Sequence, residues 1–150
     1  MKILTAAAED VLAILELQRC AYRIEAALYG DYNIPPLTQS LDEIRDQFED
    51  HTFLKAIKTH ELVGSVRAIQ DRGTCYIGRL IVKPELHNQG IGSLLMEQIE
   101  ARFPDAPRYE LFTGSKSEKN IYLYEKLGYR KYKQVELSQK VELVYMEKVS

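Results

Sequence analysis

Two rhythms of apolar and polar residues alternate along this chain. Met1 to Leu4 is a short apolar start of strand character. From Ala6 the spacing turns helical: Val11, Ile14, Leu15 and Tyr22 share a face, and Glu9 and Asp10 suit the positive end of a helix dipole. Tyr29 to Leu37 reads as a loop, with Gly30, Asp31, Asn33 and Pro35-Pro36 as breakers. Ser40 followed by Glu43 fits a capping box, after which Leu41, Ile44 and Phe48 line a second helix. Phe53 to Lys58, Leu62 to Gln70 and Cys75 to Val82 read as strands, the last stopped by Pro84. Gly90 opens a third helix, on which Ile91, Leu95, Ile99 and Phe103 recur every fourth residue. Tyr109 to Thr113 is a further strand, and Ser117 is expected to cap a fourth helix ending at Gly128. Tyr129 to Val135 and Val141 to Glu147 close the chain as strands.

This order of strand, two helices, three strands, helix, strand, helix and two strands predicts an α+β fold, a mixed α/β sandwich. With no repeat, linker or low-complexity tract, residues 1–150 read as one domain.

Composition narrows the function. The chain has 150 residues and a formal net charge of -2, with 45% hydrophobic and 28% charged residues. It shows no basic stripe or stacking motif, so nucleic acid is not an expected partner. No apolar run is long enough to span a bilayer, and the first residues lack the apolar core of a signal peptide. A cytoplasmic protein with no membrane contact is expected. Cys20 and Cys75 are far apart, and His51, His60 and His87 are scattered, so no metal site is expected.

The most informative segment runs from Leu80-Ile81-Val82-Lys83-Pro84 through His87-Asn88-Gln89-Gly90-Ile91-Gly92-Ser93. A strand ends at a proline, and two glycines then open an amphipathic helix. The first amides of a helix lack internal partners, and glycine lets a phosphate approach them closely. The element therefore suits a diphosphate, with a plain tight turn into a helix as the alternative. No lysine follows the glycines, which excludes a P-loop, and Leu95 stands where a dinucleotide fingerprint has its third glycine.

The segment resembles the acetyl-CoA loop of the GNAT superfamily of N-acetyltransferases, Q/R-x-x-G-x-G/A after a strand of type L-x-V-x-P. A second family motif resembles Asn120-Ile121-Tyr122-Leu123-Tyr124-Glu125-Lys126-Leu127-Gly128-Tyr129. The two motifs stand in the family's order and usual separation, and the element order is similar over essentially the whole chain. One position departs: His87 replaces the usual Gln or Arg.

The resemblance implies a central, mostly antiparallel sheet flanked by helices. It also implies direct transfer of an acetyl group from acetyl-CoA to a primary amine, without a metal. The family pattern would place the pyrophosphate on amides across Gln89 to Ser93, including Gly90, Ile91 and Gly92, with His87 and Asn88 beside them. The pantetheine arm would pair with Leu80, Ile81 and Val82 and reach Asn120. Tyr124 would hydrogen-bond or protonate the departing thiolate; a core tyrosine is the alternative reading. Lys126 would meet a CoA phosphate or simply face solvent.

The amine must lose a proton to attack. The carboxylate that some family members carry on the strand before the glycine loop is missing from Cys75-Tyr76-Ile77-Gly78-Arg79, so Glu110 on the next strand is the candidate base. Cys75 as an acyl carrier lacks a partner histidine.

The acceptor is expected to be a small-molecule amine. Tyr22, Tyr29 and Tyr32 would wall its site, which would suit a cation. Arg67 and Arg79 would instead favour an acidic group on it. A catalytically silent acyl-CoA-binding module is the competing reading, and a homodimer through the C-terminal strands is compatible with the family.

Overall fold

In the computed structural model, which describes residues 1–150, β1 (Lys2–Thr5) passes through a single helical turn at Ala8–Asp10 into α1 (Val11–Tyr29). Gly30, in the left-handed region at φ 64°, ends α1. The segment read as a loop contains a one-turn helix, α2 (Pro35–Thr38). Its proline occupies the first helical position, where a missing N–H is harmless. Buried Gln18 of α1 pins this turn by donating to the Pro36 carbonyl at 3.0 Å and to Gln39 Oε1 at 2.9 Å.

α3 (Leu41–Asp50) begins with the expected capping box: the Glu43 amide donates to Ser40 Oγ at 3.1 Å, and the Ser40 amide donates to Glu43 Oε1 at 2.9 Å. β2 (Thr52–Lys58), β3 (Glu61–Asp71) and β4 (Thr74–Val82) follow as a meander. Then come α4 (Ile91–Ala101), β5 (Arg108–Gly114), α5 (Glu118–Lys126), β6 (Arg130–Glu136) and β7 (Glu142–Val149).

The strands form one sheet in the order β1-β2-β3-β4-β5-β7-β6. Every adjacent pair is antiparallel except β4 and β5. Both faces are covered, as neighbouring residues of β2 record. Phe53 packs with Val11, Ile14 and Leu15 of α1 and Ile44 of α3. Leu54 packs in the larger core with Ile91, Leu95, Met96 and Ile99 of α4 and Ile121 of α5. Strand side chains alternate between faces, so one strand serves both layers. Burying each such α4 side chain is worth about 1.5–3 kcal/mol, which holds the helix against the sheet. No helix is long and apolar enough to cross a membrane.

Candidate active site

The site follows from the single parallel pair. β4 and β5 pair only at Thr74↔Arg108, Cys75↔Tyr109 and Tyr76↔Glu110. Beyond Tyr76 the strands part, so the edge of β4 that faces β5 has no strand partner from Ile77 to Val82. On its other edge the β3 register slips between Ser65 and Arg67. Arg79 sits opposite that slip with φ 52°, a left-handed conformation unfavourable for a non-glycine residue. The divergence opens a cleft of about 320 Å³ lined by both strands, α1, α5 and β7.

At the end of β4 a turn at Pro84–Leu86 leads to Asn88 (φ 65°) and Gly90 (φ 81°), and α4 starts at Ile91. Gly90 is needed for its backbone angle, since a Cβ there would touch nothing. The Leu94 amide is the first to find a helical acceptor, the Gly90 carbonyl at 3.1 Å; the amides from Gln89 to Ser93 donate to no protein group. These free donors and the helix dipole together favour an anion. His87 is exposed, and its Nε2 lies 3.1 Å from the Val82 carbonyl oxygen on the open edge of β4.

On α5, Tyr124 is 6% exposed and lines the cleft, yet its hydroxyl has no hydrogen-bond partner in the protein. Burial pushes the phenol well above its usual range, and Tyr22 and Glu25 add to the effect. It is a proton donor at neutral pH, never a base. Asn120, one turn earlier, donates to Glu25 Oε1 at 3.3 Å and to Thr113 Oγ1 at 3.4 Å. Its amide nitrogen is thus engaged within the protein, and its carbonyl oxygen is the group left for a ligand.

Ser117 does not cap α5 with its side chain. Its hydroxyl turns to α1 instead, donating to Glu25 Oε2 at 2.5 Å and lying 2.8 Å from Tyr29 Oη. The Tyr29 hydroxyl also accepts from the Lys116 amide at 3.1 Å. Tyr29 is therefore a cleft wall that also ties α1 to the loop between β5 and α5.

Arg67 and Arg79 both line the cleft, as does half-buried Tyr22. Burial, then repulsion from Arg79, pulls the Arg67 guanidinium down to about 10. Burial also lowers Arg79, partly offset by the Tyr22 phenol. Burial raises Tyr22 in turn, with Arg79 opposing and Glu25 reinforcing the rise.

Other expected residues lie elsewhere. The Glu110 carboxylate receives Arg108 at 2.8 Å and the Tyr132 hydroxyl at 2.5 Å, and it does not line the cleft. The carboxylate is engaged by an arginine and a phenol away from the cleft, so it does not meet an acceptor bound there. Tyr32 is 58% exposed and forms no part of the cleft wall. Lys126 is exposed, with its ammonium 5.9 Å from the Tyr122 ring centroid. Cys75 is fully buried, and burial, with Glu100 adding, pushes its thiol up to about 12. It is inert as a nucleophile.

The sequence reading missed Glu25. A signal was present, because Tyr22, Glu25 and Tyr29 stand three and four residues apart on one helical face. It also missed Lys58, whose Nζ lies 3.4 Å from Gln89 Oε1 and brings a cation to the glycine loop; nothing in the spacing announces that contact.

Comparisons with known proteins agree with this architecture. A family model described as "Acetyltransferase (GNAT) family" matches residues 11–129. The UPF0157 protein YqkA of Bacillus subtilis (strain 168) is 28% identical over 126 residues, covering 84% of this chain and 36% of that protein. The chain thus spans about a third of this curated relative's length. Among solved structures, smu.2055 from Streptococcus mutans UA159 superposes with TM-score 0.83 at 19% identity, over 99% of both chains. PaiA N-acetyltransferase from Thermoplasma acidophilum, in complex with coenzyme A, gives 0.79 at 20% identity over 100% of both. A phosphinothricin acetyltransferase from Sinorhizobium meliloti, in complex with AcCoA, gives 0.79 at 17% identity over 99% of this chain and 87% of that one. At such identities the likeness establishes the fold.

Proposed function

The chain belongs to the acetyltransferase (GNAT) family, and from that premise we propose that it transfers the acetyl group of acetyl-CoA directly to a primary amine of a small molecule. The observation that carries this reading is the cleft itself. The unpaired edge of β4 runs from the cleft, where Leu80 and the buried Tyr124, its hydroxyl without a protein partner, line the wall, toward the unpartnered amides that open α4. The residues fit the co-substrate. Amides across Gln89 to Ser93 would hold the diphosphate, with Lys58 adding charge. The edge of Leu80, Ile81 and Val82 and the Asn120 carbonyl oxygen would pair with the amides of the pantetheine arm, displacing the His87 ring from Val82. Relatives of the same fold in complex with coenzyme A or AcCoA support the choice.

Bound acetyl-CoA supplies an activated thioester: a C–N bond forms, the C–S bond breaks, the amine gives up a proton and the sulfur gains one. Tyr124 keeps its proton at neutral pH, so its hydroxyl would donate a hydrogen bond to the departing sulfur, which takes up the proton the amine releases. Glu25 replaces Glu110 as the carboxylate in the cleft. It would hold the incoming ammonium and take up its proton, directly or through water. Ser117 and Asn120 would orient that carboxylate.

The test is thiol release from acetyl-CoA on addition of amines from a chemically diverse panel. Amine-dependent release that falls roughly 10²-fold in kcat for Tyr124→Phe, with acetyl-CoA affinity retained, is expected. Binding of acetyl-CoA with no release by any amine would instead identify a silent acyl-CoA-binding module.

A further inference from the structure

Two arginines face the cleft without a counter-ion. Neither Arg67 nor Arg79 belongs to any ion pair of the molecule. Arg67 donates to the neutral Gln47 side chain and lies 5.9 Å from the Phe53 ring centroid. The one carboxylate acting on it is Asp50, whose oxygen lies 2.6 Å from His51 Nδ1. Arg79 Nε is a buried side-chain polar atom with no hydrogen-bond partner. Like charges placed together and left unpaired are unfavourable in a protein that gains nothing from them. A carboxylate arriving from outside satisfies both forks.

The opposite pole is in the same cleft. Glu25 accepts from Ser117 and Asn120, both neutral, and belongs to no ion pair. Tyr22 lines the same cleft as Arg67, Arg79 and Glu25. Tyr124, the group assigned to the sulfur, is on the Glu25 side: Asn120, one turn before it on α5, donates to Glu25. A cavity of about 320 Å³ suits a small zwitterion. A polyamine would meet two guanidiniums, and a bare monoamine would leave Arg79 unsatisfied.

We propose that the acceptor is an amino acid, its amine received at Glu25 beside Tyr124 and its carboxylate at the Arg67–Arg79 pair. The product is an N-acetyl amino acid, in which the amine cation is gone and the carboxylate remains. This rests on the acetyltransferase reading given above.

The experiment pairs the protein amino acids with their decarboxylated amines in the thiol-release assay, alongside an acetyl-CoA titration. At least one amino acid is expected to drive release. Its decarboxylated partner should be roughly 10- to 100-fold poorer in kcat/KM, the worth of one charge-assisted contact. Arg79→Met and Arg67→Met should raise KM for the amino acid by a similar factor and abolish the discrimination. Arg79→Lys should recover part of it. Acetyl-CoA binding checks that each variant is folded. If the amines match or exceed the amino acids, or if no amino acid drives release while acetyl-CoA binds, the amino-acid assignment fails and the acetyltransferase reading is judged on the other amines. If acetyl-CoA itself does not bind, both fail.

Discussion

Tyr29 and Gly114 constrain each other. A Cβ built on Gly114 would stand 1.8 Å from Tyr29 Oη and 2.4 Å from its Cζ. Tyr29 is 8% exposed and bonded to Ser117 and to the Lys116 amide, so the ring cannot swing away cheaply. Gly114→Ala should therefore destabilise the protein by about 1–3 kcal/mol, the usual cost of overpacking, read as a shift in the urea midpoint. It should also slow acetyl transfer, because the displaced ring releases Ser117 and with it Glu25. A variant with unchanged midpoint and rate would refute this coupling.

At this scale the sequence was legible where a motif names the residue. Tyr124 and Asn120 are both at the cleft. Legibility failed where a residue's role depends on who arrives from elsewhere in the chain. Glu25 becomes a site residue only because Ser117 and Asn120, ninety-odd positions later, fold against it. Glu110 is the converse case. Arg108 stands two residues away on the same strand face and claims the carboxylate.

Among elements, the capping box of α3 and the periodicity of α4 could be read from the chain because both are local. The side-chain role of Ser117 could not, since a hydroxyl at a helix start turned to a partner on α1. The bend at Arg79 carried no glycine to betray it, and its positive φ is imposed by the register slip against β3.

The entry to α1 offers a test of a different contact. Burial pushes the Asp10 carboxyl up, but the Ala7 amide and the Lys55 ammonium outweigh it and hold it below its ordinary 3.8. Lys55 Nζ lies 3.0 and 2.9 Å from its two oxygens. A depressed carboxyl adds stability above the unfolded value, and that stability is lost as the pH falls below 3.8 through the folded value. Asp10→Asn should thus cost about 1 kcal/mol at pH 7 and progressively less as the pH drops below the ordinary carboxylate range. Denaturant midpoints of both proteins across that range check it; a pH-independent difference would contradict the assignment.

For the molecule as a whole, the sequence conveyed the strands and helices but not their neighbours. That β7 lies between β5 and β6 is a matter of long-range pairing, and no local pattern encodes it. The consequence is functional. Placing β5 beside β4 creates the one parallel pair, and its early divergence opens the cleft. β6, left at the outer edge, is exposed along its length and carries Arg130, Lys131 and Lys133, charges that discourage edge-to-edge pairing.

Whether this cleft and the glycine loop beside it hold acetyl-CoA is decided by calorimetric titration of acetyl-CoA into the folded protein, with coenzyme A and NAD as comparators. A saturable site is expected for acetyl-CoA and coenzyme A and none for NAD, which lacks the pantetheine amides that the open edge of β4 would pair with. Failure of acetyl-CoA to bind, or equal binding of NAD, would contradict it.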